Sequence, residues 1–395
     1  MFGFSSGMPL ALTGATLQAW MKTENVDLTT IGMFSLVGLP YAFKFAWAPL
    51  MDRFVPPFWG RRRSWVLLTQ FALVLTIACL GFSDPVGHAF MTALLAVIVS
   101  FFSASQDIVV DAYRTDLLEK QEQGPGAAIH IMGYRIAMLF SGAVALILAD
   151  HLPWKLVYFI MAAAMGLGVL MSFLAPEPQE APNPPKSLVE AVVLPFVEFF
   201  KRPGAIEILF FVVLYKLDVV IATALTTPFM MELGFTKTDI GAVTKGFGLV
   251  ATILGTLAGG AVMVRWGLKR SLWGFGIFQA VSGFSFAALA SLGHHYPMMV
   301  FSIAAENFCS GMGTAAFSAF LMRLCDKRFT ATQYALLTSL MALTRIIGGA
   351  PTGFLAKSVG WPLYFAISVA ASVPGLLLLT RYSKWANSQQ ALQEN

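Results

Sequence analysis

Nine charged side chains interrupt stretches of sequence that are otherwise apolar enough to cross a membrane. A charge at the centre of a bilayer costs at least ~2.5 to 3.5 kcal/mol on insertion scales, so such residues face a cavity or a partner. Cations outnumber acids among them, which favours the binding of an anionic solute, although this balance also fits organic anions in general. The residues are Lys44, Asp107, Asp111, Arg135, Lys216, Asp218, Lys245, Glu306 and Arg345.

Three charged residues of one apolar stretch lie at helical spacing. Asp107, Asp111 and Arg114 occupy positions i, i+4 and i+7 and form one stripe along a helix. If the helix is centred about four residues before Asp107, the rise per residue places the two carboxyls about 6 Å and about 12 Å from the centre. A buried carboxyl holds a proton more readily than an exposed one, so Asp107 is a candidate for proton coupling. The alternative is that it only neutralises Arg135 or Lys44.

A second set of charges marks the ends of predicted helices. Asp111, Arg114 and Asp116 end the same stretch, and Asp52 and Arg53 follow an earlier one. An ion network at this end could hold a gate closed on the cytoplasmic side and break during a conformational change. We therefore predict gating roles for these five residues. The alternative is plain solvation of helix ends.

Polar residues without charge extend the candidate substrate site. The amides of Gln106 and Asn307 can hydrogen-bond sugar hydroxyls, although polar residues in membranes also hold helices together. Lys216 and Asp218 are two positions apart, and such residues do not share a helix face. Asp218 is a second candidate for proton coupling. The predicted substrate-binding set is Lys44, Gln106, Arg135, Lys216, Lys245, Glu306, Asn307 and Arg345.

The sequence lacks motifs of metal sites and ATP-driven proteins, and its one match to an enzyme motif lies in the wrong structural context. Residues 3–7, GFSSG, match a hydrolase nucleophile elbow, but that motif needs a strand-to-helix turn and here it opens an apolar stretch. The 5 histidines have no metal-ligand spacing, and no Gly-rich phosphate loop is present. We predict no catalytic residues, no metal and no cofactor.

The elements that must position these residues are membrane-spanning helices. Hydrophobic residues make up 57% of the 395 residues and charged residues 12%, a composition that excludes a soluble domain of this length. A spanning helix needs about 20 mostly apolar residues. Hydropathy, read against Pro, Gly and charge, predicts twelve spans, numbered here in chain order, near residues 1–21, 30–51, 64–83, 90–114, 127–149, 154–174, 206–231, 239–264, 271–292, 298–322, 333–356 and 361–380.

The spans fall into two similar halves. The segment PLMDRFVPPFWGRRR after span 2 is echoed by GGAVMVRWGLKR after span 8, and Arg135 is echoed by Arg345. Duplicated six-helix halves are typical of transporters. The predicted domains are an N-terminal half (1–174), a linker with a possible amphipathic helix (175–204), a C-terminal half (205–382) and a polar tail (383–395).

Basic residues in the short loops predict the orientation. The loops on one side, together with the C-terminus, hold 17 Lys and Arg residues, whereas the loops on the other side hold 4. Basic residues concentrate on the cytoplasmic side, so both termini are predicted to be cytoplasmic, and the first span is retained rather than cleaved as a signal peptide. This topology explains the net charge of +5 without a nucleic-acid partner.

Intramembrane charge avoids every third span. The interiors of spans 3, 6, 9 and 12 carry none, so these are the predicted lipid-facing helices. Spans 1, 4, 7 and 10 are then expected to surround a central cavity, flanked by spans 2, 5, 8 and 11.

This pattern resembles the major facilitator superfamily, whose loop signature is Gly-x-x-x-Asp-Arg-x-x-x-Arg-Arg. The chain keeps Asp52, Arg53 and Arg61–Arg63 of this signature, with an insertion that contains Pro56 and Pro57 and without the first glycine. The sequence is more closely similar to the muropeptide permease family. The similar strings are GFSSGMPLALTGATLQAWM, TTIGMFSLVGLPYAFKFAWAPLMDRF, ASQDIVVDAYRTDLL, GYRIAMLFSG and ENFCSGMGT. Two departures are YKLDVV, where the family has Tyr-Lys-Leu-Gly-Asp-Ala, and the polar tail SKWANSQQALQEN, where family members continue with further helices. We accordingly expect twelve helices.

The resemblance implies an all-α integral membrane protein with a pseudo-twofold 6+6 bundle and a central cavity. It implies a proton-coupled importer of anhydromuropeptides, working in cell-wall recycling as a monomer in the lipid of the bacterial inner membrane. Two other classes stay open. One is an antiporter of the same fold for drugs or organic anions, and the other is an integral-membrane transferase acting on cell-wall precursors.

Overall fold

The computed structural model of the chain describes residues 1–26, 30, 34–57, 59–178, 187–349 and 351–385. Every regular element in these ranges is a helix, and each predicted span coincides with helical residues. Seven helical stretches of the described residues are long and apolar enough to cross a membrane. They are Arg61–Gly81, Ala89–Leu117, Gln123–Ala149, Trp154–Leu174, Ala205–Glu232, Gly241–Leu292 and Trp361–Trp385. The longest of them contains spans 8 and 9, which are separated by a kink at Gly267 (φ 71°).

The α-helices corresponding to spans 1–6 are Phe2–Thr13, Ala15–Thr23, Leu39–Phe43, Ala48–Arg53, Arg61–Gly81, Ala89–Leu117, Gln123–Leu139, Ala145–Ala149 and Trp154–Leu174. The linker contributes Leu188–Phe200, where the sequence predicts an amphipathic helix. Spans 7–12 correspond to Ala205–Leu214, Leu217–Ala224, Thr226–Glu232, Lys237–Ile240, Gly248–Leu292, Tyr296–Leu324, Thr330–Gly349, Thr352–Val359, Trp361–Ala370 and Ser372–Leu378. Residues 179–186 of the predicted linker and 386–395 of the predicted tail lie outside the described residues.

Several spans are broken rather than continuous. Span 1 breaks at Gly14 (φ −107°, ψ −109°), and span 7 breaks at Leu225 (φ −118°, ψ 15°). When the two sequence halves are compared, these two breaks fall at nearly equivalent positions. Span 7 also breaks at Lys216, and span 2 contains a 3-10 turn at Lys44–Ala46. Broken helices free backbone groups at membrane depth, which is tolerated where they are buried in protein or line a cavity. Two of the three lysines predicted to bind substrate, Lys44 and Lys216, therefore lie at helix interruptions.

The chain forms two compact units. The first comprises Met1–Leu118, Ile129–Pro195 and Cys325–Ser339. Its core includes Trp20, which stacks on Trp154 at 5.8 Å and contacts Tyr158 at 5.2 Å between ring centroids. Because this unit contains the start of span 11, it combines residues from both sequence halves. The predicted division at residues 174 and 205 concerns duplication in the sequence and stays a prediction.

The second unit comprises Glu119–Ala128, Phe196–Leu324 and Leu340–Asn395. Its core contains a cluster of aromatic rings, in which the ring centroid of Phe365 lies 4.8 Å from that of Phe229 and 5.2 Å from that of Phe286. Trp385 of this unit is buried and donates from Nε1 to Glu207 Oε2 at 2.9 Å.

Glycines of the small-xxx-small pattern allow close approach of helices. A Cβ added at Gly259 would lie 2.7 Å from Met312 Cα, and one at Gly255 would overlap the carbonyl oxygen of Phe308. The contacts between spans 8 and 10 therefore depend on small residues that let the two helices approach closely.

Replacing Gly255 with alanine is expected to destabilise the second unit. The added methyl group overlaps the Phe308 carbonyl, and overpacking of this kind costs about 1–3 kcal/mol. Thermal unfolding of the purified protein in detergent would measure the loss. The matched control is Gly166→Ala, because a Cβ there meets nothing within 4 Å and alanine is the better helix former. Equal unfolding temperatures for the two variants would contradict the proposed close contact.

Candidate functional site

Asp52 is the centre of a buried ion network in the first unit. Its side chain is fully buried (0% exposed), and Oδ1 accepts hydrogen bonds from Nη2 of Arg61 at 2.9 Å and of Arg62 at 3.1 Å. Arg62, which is 1% exposed, also donates from Nε to Asp116 Oδ2 at 2.7 Å. One guanidinium therefore joins two of the predicted gating carboxylates.

The same carboxylates hold the start of span 11. Asp52 Oδ2 accepts from the backbone N–H of Thr332 at 2.8 Å and from its hydroxyl at 2.7 Å, while Thr330 Oγ1 donates to Asp116 Oδ1 at 2.6 Å. The first N–H groups of a helix have no partner within the helix, and the helix dipole favours negative charge there. We call Asp52, Arg61, Arg62, Asp116, Thr330 and Thr332 the Asp52 network.

The other predicted gating residues lie in different places. Arg114 donates to Asp111 Oδ1 at 2.8 Å and to the Tyr334 hydroxyl at 3.0 Å, so these two predicted residues are paired beside span 11. The guanidinium of Arg53 lies over the ring of Phe54 at 5.6 Å and is not part of the Asp52 network. Asp52 and Arg53 are consecutive in the helix Ala48–Arg53, so their side chains point in different directions.

A second polar cluster lies in the second unit, around a glutamine of span 9. Lys216 Nζ donates to Gln279 Oε1 at 3.0 Å and to Thr314 Oγ1 at 3.1 Å. Gln279 Nε2 donates to both carboxylate oxygens of Asp218, at 2.9 Å each. We call Lys216, Asp218, Gln279 and Thr314 the Gln279 cluster. The Gln279 amide therefore links Lys216 and Asp218 across the helix break.

Glu306 lies in the same unit and is 3% exposed. Its Oε2 is 2.7 Å from the hydroxyl of Ser282, which is also 2.7 Å from the carbonyl oxygen of Gln279. Asn307 next to it accepts from Thr252 at 3.0 Å and donates to the Ile303 carbonyl at 2.8 Å. Both ends of the Asn307 amide are therefore engaged in helix contacts, which agrees with the packing alternative.

The first unit holds the remaining candidates. Lys44 is 7% exposed and acts electrostatically on Asp107, which is hydrogen-bonded to Ser6. Gln106 is fully buried, with its Nε2 at 3.5 Å from the Ser6 hydroxyl, and Arg135 is half-buried. Lys44, one of the two cations considered as partners of Asp107 from the sequence, therefore lies close enough to act on it.

Two further predicted substrate ligands belong to the second unit. Arg345 is exposed. The side chain of Lys245 lies outside the described residues, and its backbone belongs to the π-helical segment Gly241–Phe247. Among the described residues, no group of three His, Cys, Asp or Glu side chains could hold a metal ion.

Sequence reasoning missed Arg61, Arg62, Thr330 and Thr332 as network members, and Gln279, Ser282 and Thr314 in the second unit. The threonines had a recognisable signal, because Thr330 and Thr332 follow the loop Asp326–Phe329 and open an apolar helix, as capping residues do. Gln279 and Ser282 lie on a span that was assigned to lipid because it carries no charge. The absence of charge on span 9 is correct, but the span still contributes polar groups to the interior.

The family model for the Major Facilitator Superfamily matches residues 1–216 and 208–392, and the chain therefore belongs to this superfamily. The fold is also that of a solved structure, the proton:xylose symporter XylE bound to 6-bromo-6-deoxy-D-glucose. That structure aligns with a TM-score of 0.71 over 99% of this chain and 96% of its own, at 12% sequence identity. The chain is thus a multi-pass membrane transporter rather than an enzyme.

Individual relatives within the superfamily are similar to this chain along most of its length. The chain is 50% identical to the anhydromuropeptide permease of Escherichia coli K12, over 96% of this chain and 78% of that protein. It is 41% identical to an uncharacterized protein of Haemophilus influenzae, over 95% of this chain and 92% of the relative. A putative transporter of Rickettsia felis, AmpG 4, is 34% identical, with 98% and 96% covered.

Proposed function

We propose that this protein imports anhydromuropeptides from the periplasm to the cytoplasm, in symport with protons, across a bacterial inner membrane. The observation that carries the proposal is the 50% identity, along nearly the whole chain, to a permease named for this substrate. The two helix-break lysines, Lys44 and Lys216, add a chemical reason, because muropeptides carry carboxylates. The excess of basic residues in the loops of one side supports a cytoplasmic position of both termini, and we propose that the transporter acts as a monomer.

Cations form the core of the proposed substrate site. Lys216 donates to two neutral acceptors, Gln279 and Thr314, which orient the ammonium group. It is therefore the best-supported ligand for a substrate carboxylate. Lys44, Arg135, Lys245 and Arg345 are proposed to supply further positive charge, and Gln106, Glu306 and Asn307 hydrogen-bond partners for sugar hydroxyls.

The buried acids are the proposed proton carriers. Asp107 and Asp218 are the candidates from the sequence, and the geometry of Ser282 supports Glu306 as a third. The Ser282 hydroxyl has one proton but lies 2.7 Å from two acceptor atoms, Glu306 Oε2 and the Gln279 carbonyl. Both short contacts are satisfied together when Ser282 donates to the carbonyl and a protonated Glu306 donates to Ser282.

The Asp52 network is the proposed gate. It links the loop after span 2 and the end of span 4 to the start of span 11, so it joins residues that are about 280 positions apart in the chain. Alternating access requires contacts that form in one state and break in another. Asp111 and Arg114, paired beside Tyr334, are proposed to act with it.

Uptake into sealed vesicles tests the function. Purified protein in liposomes should take up labelled disaccharide-anhydro peptide saturably, and an inward pH gradient should drive accumulation above the external concentration. Protein-free liposomes and a protonophore are the controls. Absence of saturable uptake would refute the substrate, and uptake that ignores the gradient would refute proton coupling. Release of a preloaded organic anion in exchange would instead favour the antiporter alternative.

A further inference from the structure

A cavity of about 170 Å³ lies in the second unit, beside the kink that separates spans 8 and 9. Arg323, at the end of span 10, and Lys120, in the segment after span 4, contribute charged side chains to its lining. The kink residue Gly267 lines it as well, and a Cβ added there would meet nothing within 4 Å. A single water molecule requires about 10–15 Å³, so the cavity has room for a polar group of several atoms.

The guanidinium group of Arg323 is oriented by neutral partners. Its Nη2 donates to the carbonyl oxygen of Lys120 at 2.9 Å and its Nε donates to Gln123 Oε1 at 3.3 Å, while Tyr382 interacts with the same group. Within the part of the chain that the structure describes, neither Arg323 nor Lys120 forms an ion pair. The two cations therefore line the cavity without a carboxylate partner.

Acidic residues lie near Lys120 in the sequence but do not line the cavity. Glu119 and Glu122 are exposed, and the carboxylate of Glu122 accepts from the backbone N–H of Glu119 at 3.1 Å. This carboxylate is therefore engaged within its own turn. Among the described residues, every charged side chain in the lining is basic. Such a lining favours an anion, and an arginine side chain can bind two phosphate oxygens through paired N–H donors.

Much of the remaining wall is apolar and continues into one face of span 8. Met263, Val264 and Leu268 line the cavity, and Val264 is 64% exposed. Val250 and Leu254, which are 51% and 55% exposed, share the helix face of Val264 at α-helical periodicity. On a membrane-spanning helix, an exposed apolar face of this kind contacts lipid. The cavity is therefore continuous with a lipid-contacting surface, which a site for a small soluble anion would not require.

The residues around the kink are those expected at a membrane surface. Trp266 is 44% exposed, and tryptophan is enriched where the membrane meets water. Arg265, Lys269 and Arg270 are exposed beside it. These loops belong to the side whose excess of basic residues predicts a cytoplasmic position, where clusters of Lys and Arg next to a membrane helix attract anionic lipids.

We propose that this cavity binds the phosphodiester headgroup of an anionic phospholipid, whose acyl chains lie along the exposed face of span 8. Arg323 and Lys120 donate to the phosphate oxygens. A zwitterionic lipid carries an ammonium group as well, which the two cations of the lining repel, so the site prefers the anionic headgroup. The proposal concerns lipid binding and does not depend on the identity of the transported substrate.

Native mass spectrometry of the whole, delipidated protein tests the site with phosphatidylglycerol as the probe. The wild type should bind it at least about tenfold more tightly than phosphatidylethanolamine. Arg323→Gln should weaken this binding about tenfold, since a hydrogen bond between charged groups is worth that much in affinity. Lys120→Gln changes an exposed side chain and should weaken it about threefold. Equal affinity for the two lipids, or wild-type affinity in either folded variant, would overturn the proposal. Should Arg323→Gln fail to fold, Lys120→Gln decides alone.

Arg381 and Lys201 provide the matched controls. Both are exposed basic residues of the second unit, but Arg381 pairs with Glu207 at 3.5 Å and Lys201 pairs with Glu198 at 3.7 Å. Arg381→Gln and Lys201→Gln remove the same kinds of charge outside the cavity and should keep the wild-type affinity. A loss equal to that of the cavity variants would mean that net charge alone attracts the lipid, and would refute a defined site.

Glycerol 3-phosphate and inorganic phosphate distinguish a lipid from a soluble anion. Neither has acyl chains, so neither should displace phosphatidylglycerol at equal concentration. Displacement by either would assign the cavity to a soluble phosphate and overturn the lipid proposal.

The location of the lipid is read from Trp266, whose fluorescence is obtained as the difference from Trp266→Phe. In vesicles of phosphatidylethanolamine containing brominated phosphatidylglycerol, this fluorescence should be quenched in the wild type and quenched more weakly in Lys120→Gln. Equal quenching in the two proteins would show that the lipid binds elsewhere.

Discussion

Replacing Asp52 with asparagine is expected to cost about 3–5 kcal/mol of stability, because it leaves buried arginines without their shared counter-charge. Arg61 and Arg62 both donate to Asp52 Oδ1, and their side chains are 7% and 2% exposed. Asparagine keeps the shape of the side chain but lacks the charge. Thermal unfolding in detergent would measure the change, and uptake in liposomes would show the loss of gate function.

The neighbouring arginine gives a matched control for this variant. Arg53 is adjacent in sequence and charged, yet its guanidinium lies over Phe54 and not in the Asp52 network. Arg53→Gln is expected to change stability by no more than about 0.5 kcal/mol, as substitutions outside such networks usually do. Comparable losses in Asp52→Asn and Arg53→Gln would mean that the whole loop, rather than the network, determines stability.

Some contacts of the Asp52 network could be predicted from the sequence and others could not. The signature in the loop after span 2 pointed to Asp52, and helical spacing placed Asp111 and Arg114 on one face. The sequence did not indicate that Arg61 and Arg62 would contact Asp52, because the chain between Asp52 and these arginines passes through Pro56 and Pro57. A non-helical segment removes the periodicity from which side-chain directions are inferred.

The spans were predictable because hydropathy is a local property of about 20 residues. The breaks at Lys216 and Leu225 were not predicted, since a helix interruption in a protein interior is stabilised by contacts from distant parts of the chain. Gln279 was missed for a different reason. Its span carries no charge and was therefore assigned to the lipid-facing helices, although the two ends of a glutamine amide can bind a cation and an anion at once.

Asp107→Asn is expected to abolish uphill accumulation while leaving the protein folded. With the membrane potential held at zero and one proton per substrate, each pH unit of gradient supports about tenfold accumulation, since both correspond to about 1.4 kcal/mol. A variant that cannot release and rebind the proton should reach a ratio of about one. The amide is isosteric with the acid and can still hydrogen-bond Ser6.

Asp107→Asn is also expected to affect the affinity for an anionic substrate. Lys44 acts electrostatically on Asp107, and removal of the negative charge leaves that positive charge uncompensated. An anionic substrate should therefore bind at least as tightly as in the wild type, and exchange of labelled for unlabelled substrate should continue. Asp111→Asn, one helical turn away and paired with Arg114, is the control and should slow uptake without lowering the final accumulation ratio. Accumulation by Asp107→Asn to the wild-type ratio would exclude Asp107 as the proton carrier. Asp218 and Glu306 would then be the remaining candidates, because a symporter needs at least one group that changes its protonation in each cycle.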